Sequence, residues 1–223
     1  MQSAKIEIEF VTHSLAVGIG PQGADSFQRD NQDRIVLSQP CWYAVIGQAI
    51  SLSGLNTYDG GTTVTAGTLL LGASGVLNDA SSLTVDGGTF NLGTFNETIN
   101  QVVLSSGTIA GSTGSLTSTL AFDLRAGTVS AILAGSANVV KTTTGLVTLS
   151  GTNLFTGQLQ VNAGTVAFTD SANLGAGSVS IDGGTLAYVG TGTQAVPVGI
   201  TAAQNVAFGP TGATLNVANR FAT

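Results

Sequence analysis

The chain has 223 residues, 43% of them hydrophobic, which suffices for a continuous buried core and argues against a disordered polymer. Only 8% are charged, and 31 glycines with many Thr, Ser and Asn supply polarity through hydroxyls, amides and exposed backbone. A formal charge of −6 with six Lys plus Arg excludes a phosphate-neutralising surface, so nucleic acid and anionic lipid are poor partners.

Residues 1–48 differ from the remainder. They hold five of the twelve acids, three of the six cations, the sole His, Cys and Trp, and four glycines, which sets a boundary near Gly47. Met1 to Phe10 carries Lys5, Glu7 and Glu9 where a signal peptide needs an apolar stretch, and Lys5 to Val11 alternates as a half-buried strand. Gly20-Pro21-Gln22-Gly23 marks a turn, Arg29 to Arg34 a solvated loop, and Ile35 to Leu37 an apolar strand. About fifty residues are close to the lower limit for an independent core, so this segment is expected to lean on the glycine-rich remainder of the chain, as a cap.

From residue 49 onward a triplet of Gly, a β-branched residue and an aliphatic or Phe recurs: Gly67-Thr68-Leu69, Gly88-Thr89-Phe90, Gly107-Thr108-Ile109, Gly127-Thr128-Val129, Gly164-Thr165-Val166 and Gly184-Thr185-Leu186. Successive glycines lie 21, 19, 20, 37 and 20 residues apart, and admitting Gly145-Leu146-Val147 as a degenerate copy divides the long gap into 18 and 19. Alternation within each copy points Val64, Leu69, Leu71, Leu83, Val85, Phe90, Leu92, Val179, Ile181 and Leu186 to one side, the expected core. Asp86-Gly87-Gly88 and Asp182-Gly183-Gly184 occupy equivalent corners, where glycine accepts positive φ and Asp can bond neighbouring backbone. An antiparallel sandwich also uses short strands and glycine turns, but it has no need of a fixed repeat; a solenoid does. The expected fold is therefore all-β, a parallel β-helix over residues 49–223 with rungs of about twenty residues.

Two stretches carry a family resemblance. The run from Leu52 to Leu69, containing Gly54, Asn56, Tyr58 and Gly67, resembles the passenger-associated repeat of bacterial autotransporters. A second copy runs from Leu149 to Val166, with Gly151, Asn153, Phe155 and Gly164 at the matching places, and departs from the first at Gln158-Leu159. The likeness extends into the following rungs and covers around half of the chain, while residues 93–140 match only in general character. The resemblance implies a right-handed parallel β-helix in an extracellular or surface-displayed passenger, exported through a carboxy-terminal β-barrel that these residues do not include. In that family the repeat is associated with folding and transport. A host surface, extracellular matrix or a second copy is the kind of partner implied, and the chain is expected to be a piece of a longer protein cut within its repeats.

Sequence chemistry points away from catalysis. A Ser-His-Asp hydrolase would depend on His13, no Gly-x-Ser-x-Gly elbow occurs, and a His13–Cys41 dyad has no local signature. With Cys41 alone there is neither a disulfide framework nor a thiolate metal cluster, and no metal or other cofactor is expected. A β-helical carbohydrate-active enzyme or tailspike would need convergent carboxylates, and the acids after residue 50 are Asp59, Asp79, Asp86, Glu97, Asp123, Asp170 and Asp182. Only Asp123 lies close to a cation, Arg125, most simply as a solvated ion pair on one strand face. The Gly-Gly-x-Gly-x-Asp nonapeptides of calcium β-rolls and the phosphate-binding Gly-x-x-x-x-Gly-Lys loop are missing, and the Thr62, Thr63, Thr65 spacing is not reproduced on successive rungs as a flat ice-binding array would require.

Overall fold

A computed structural model of the chain describes residues 27–29, 35–37, 49–53, 61–191, 193–196, 200–202, 206–208 and 214–217. Three strand-bearing faces recur as the backbone coils. The first face runs through Thr62–Val64, the opening half of Ser82–Asn91, the opening half of Gln101–Ala110, Phe122–Leu124, Val139–Lys141, Leu159–Val161, Val179–Ile181 and Ile200–Ala202. The second runs through Ala49–Leu52, Thr68–Leu71, the closing halves of the two long strands, Gly127–Val129, Leu146–Leu149, Thr165–Phe168, Thr185–Tyr188 and Val206–Phe208. The third is shorter, with Glu97–Ile99, Ser115–Ser118 and Ile132–Ala134.

Every one of these pairings is parallel, which a sandwich would not allow, and the result is a β-solenoid of about seven turns. The single antiparallel pair among the described residues joins Phe27–Arg29 to Ile35–Leu37, and Ile35–Leu37 then runs parallel to Ala49–Leu52.

Stacking like on like makes the core. On the second face one inward row reads Leu69, Phe90, Ile109, Val129, Leu149, Phe168 and Tyr188 up seven rungs, each at most 1% exposed. The steps between these residues are 21, 19, 20, 20, 19 and 20. Near the top of the row the Phe168 and Tyr188 rings meet tilted at 46°, centroids 5.5 Å apart, a favourable aromatic geometry. All ten residues assigned inward by alternation are buried.

The glycines follow the period less faithfully than the core row does. Thr68, Thr89, Thr108 and Thr128 lie opposite one another, so Gly67, Gly88, Gly107 and Gly127 form one column. Gly127, however, faces Val147, and Leu146 faces Thr165, which puts Gly145 in a separate column with Gly164 and Gly184. From Leu146 onward the second-face strand starts two residues earlier, and Val147, Val166 and Leu186 fill the inward place that a glycine held below. Gly145 is therefore a true repeat position of the upper rungs and not the register partner of Gly127.

One element was not anticipated from sequence. Ser171–Leu174 forms a single 3-10 turn whose Asp170 cap accepts a hydrogen bond from Ala172 N at 2.8 Å.

Candidate functional site

The two Asp-Gly-Gly corners follow the first face, as expected. Gly87 and Gly183 have φ of +109° and +89°, and a Cβ on Gly88 or Gly184 would stand 2.7 Å from Val64 Cγ1 or 2.6 Å from Val161 Cγ1. The first glycine thus bends the chain from the first face into the second, within the strand Ser82–Asn91 in the lower copy, and the second admits the core side chain of the preceding rung. Asp86 serves a different partner from the one expected: its Oδ1 accepts from Ser106 Oγ on the next rung at 3.2 Å instead of bonding adjacent backbone.

In the second motif copy the polar and aromatic positions are interior. Asn153 Oδ1 accepts from Leu133 N at 2.8 Å in the rung below, and its Nδ2 donates to Asn173 O at 2.5 Å in the rung above. Asn173 in turn donates to Gly151 O at 3.0 Å and accepts from Asp170 N at 2.8 Å. Phe155 is fully buried, and Gly175 leaves room for its ring, since a Cβ there would lie 2.7 Å from Phe155 Cε2. Gly151 lies so close to the Ala131 carbonyl that no side chain fits. Gly54, Asn56 and Tyr58 of the first copy lie outside the described residues, as do Asp59, His13 and Cys41.

Two ionisable residues occupy aliphatic places in the core, and these the sequence reading did not single out. Lys141 stands opposite Val161 in a first-face row that otherwise reads Val64, Val85, Leu104, Leu124, Val161 and Ile181. Its ammonium bonds Thr143 O and, at 2.9 Å, Thr143 Oγ1; burial holds its pKa below the ordinary lysine value, and the Asp123 charge opposes that shift only in part.

Glu97 faces Leu116, which faces Leu133, in the inward row of the third face, and is 2% exposed. Its Oε2 accepts from Val76 N at 2.9 Å and Leu77 N at 3.3 Å, and its Oε1 from Thr98 N at 3.3 Å. Desolvation pushes its pKa up to about 7 against these bonds, with a small further push from Asp79. The signal that would have found both residues is plain alternation: Glu97-x-Ile99 and Val139-x-Lys141 put an ionisable group on the side of a buried aliphatic.

The one acid–base juxtaposition read from sequence is an ion pair. Asp123 Oδ2 lies 2.8 Å from both Nε and Nη2 of Arg125, whose side chain is 47% exposed. Asp123 Oδ1 is buried and has no hydrogen-bond partner among the described residues. Among the described residues no three His, Cys, Asp or Glu side chains converge, and no helix is long and apolar enough to cross a membrane.

No protein-family model, no curated protein and no solved structure gives a significant match to this chain.

Proposed function

We propose that this chain is a structural passenger module of a secreted or surface-displayed, autotransporter-like bacterial protein, acting as a rigid stalk and an adhesive surface and not as an enzyme. The observation that carries the reading is the unbroken parallel register of the second face, from Ala49–Leu52 to Val206–Phe208. Its outward strand positions include Thr68, Thr89, Thr108, Thr128 and Thr148 in line. A rod of that kind bears load along its axis and offers a long, uncharged, hydroxyl-bearing side. The motif from Leu149 to Val166 adds to the reading, because its Asn153, Phe155 and Gly151 bind rungs together instead of facing a ligand. In the same reading residues 1–48 cap the stack, a role supported by the strand Ile35–Leu37 lying alongside Ala49–Leu52. The partner is a host surface, matrix or a second copy, and a β-barrel translocator completes the full-length protein.

Fusing the chain to a bacterial β-barrel translocator tests this. Display of a protease-resistant passenger, with adherence or aggregation of the cells above that of cells bearing the barrel alone, is the expected result. Cleavage of a glycan by the purified chain, abolished by Asp123→Asn, would replace this reading with that of a β-helical carbohydrate-active enzyme.

A further inference from the structure

We infer that segment 72–81 is a proton-linked flap on the third face, shut against the stack by Glu97. No strand covers this part of the rung, so its backbone donors need acceptors from elsewhere. Gly75 N finds Asn96 O at 3.0 Å, Ser74 Oγ accepts from Asn96 N at 2.9 Å, and Val76 N and Leu77 N both turn to the Glu97 carboxylate. Val76 and Leu77 are themselves 2% and 1% exposed, so their side chains close the core over the carboxylate. Water reaches Glu97 only when this segment lifts.

The groups around the carboxylate set the direction of the linkage. The flap contributes one ionisable residue, Asp79, whose negative charge favours a protonated Glu97. The strand above, Ser115–Ser118, contributes none, nor does the remainder of Glu97–Ile99. No cation pairs with Glu97 among the described residues. In the shut state the acid therefore holds its proton up to about pH 7, whereas once the flap lifts and water solvates it the value returns toward 4.5. Lifting becomes easier by up to tenfold per pH unit across that interval, and levels off above it at about 300-fold. Acid shuts the flap and neutral to alkaline conditions loosen it.

Amide hydrogen exchange on the full chain tests this, with rates corrected for the intrinsic pH dependence and read at Val76 and Leu77 against Val85 and Leu104. Protection at the two flap amides is expected to be lower than at the reference amides throughout, and to fall at least tenfold between pH 5 and pH 8. Glu97→Gln, a neutral group of the same shape, is expected to hold flap protection constant across that range. Asp79→Asn leaves the carboxylate in place and is expected to move the midpoint of the change to lower pH. Flap protection equal to that of the reference amides at every pH, that rises with pH, or that keeps its pH dependence in Glu97→Gln overturns the inference.

Discussion

At the scale of single residues, the buried asparagines of the interior each bond a neighbouring rung. Asn153→Ala removes the acceptor for Leu133 N and the donor to Asn173 O, leaving buried backbone groups unmatched. A loss of about 2–3 kcal/mol in urea unfolding is expected. Backbone geometry separates two glycines in the same way. Gly93 has φ +58° and open space where a Cβ would go, so Gly93→Ala costs only the left-handed conformation, about 1 kcal/mol. Gly107 has φ +89° and abuts the Gly88 carbonyl, so Gly107→Ala costs that strain and a displaced rung, and is expected to lower Tm several degrees further.

The two buried ionisable side chains act on stability in opposite ways. Glu97 has a folded pKa raised above its unfolded value, so its contribution is fully present below pH 4.5 and is lost as pH rises through about 7. Wild-type stability is expected to fall by about 3 kcal/mol at most between pH 4 and pH 8 from this cause, and Glu97→Gln to flatten the profile. Lys141 has a depressed folded pKa, so its favourable contribution belongs to pH above 10.5 and is lost on descending through the folded value. At neutral pH its charge is a liability in an aliphatic row, and Lys141→Met is expected to raise stability by about 1–2 kcal/mol.

At the scale of strands and turns, period-2 alternation and a repeat near twenty were sufficient to assign the inward rows, because a core shared by stacked rungs forces equivalent positions to be equivalent residues. Gly145 shows where that logic fails. Glycine marks where a strand begins, and the strand starts can shift by two residues while the inward row keeps its register, so a ruler built on glycines misaligns Gly127 with Gly145. The 3-10 turn Ser171–Leu174 was not legible, since four residues are too few to show a period, though Asp170 ahead of it is a recognisable cap. The site-level failure has the same origin: Glu97 and Lys141 look like surface residues by type, and only their place in the alternation puts them inside. Because Asn153 and Asn173 bind adjacent rungs through shared groups, Asn153→Ala and Asn173→Ala are expected to be non-additive in a double-mutant cycle by about 0.5 kcal/mol or more.

At the scale of the whole molecule, each rung touches only its neighbours, so stability accumulates along the axis and length is the property that the repeat controls. Outward positions one rung apart are separated by one strand spacing, about 4.8 Å. Thr68 lies three rungs from Thr128, four from Thr148 and six from Ala187 along one column. Nitroxide labels placed at Thr68 and at each of these sites in turn, in a Cys41→Ser background, report those separations by pulsed electron spin resonance. Parallel stacking in this register requires distances that climb in proportion to rung number, on the order of 14, 19 and 29 Å. Distances that fail to climb with rung number, or that place Ala187 nearer to Thr68 than Thr148 is, would contradict it.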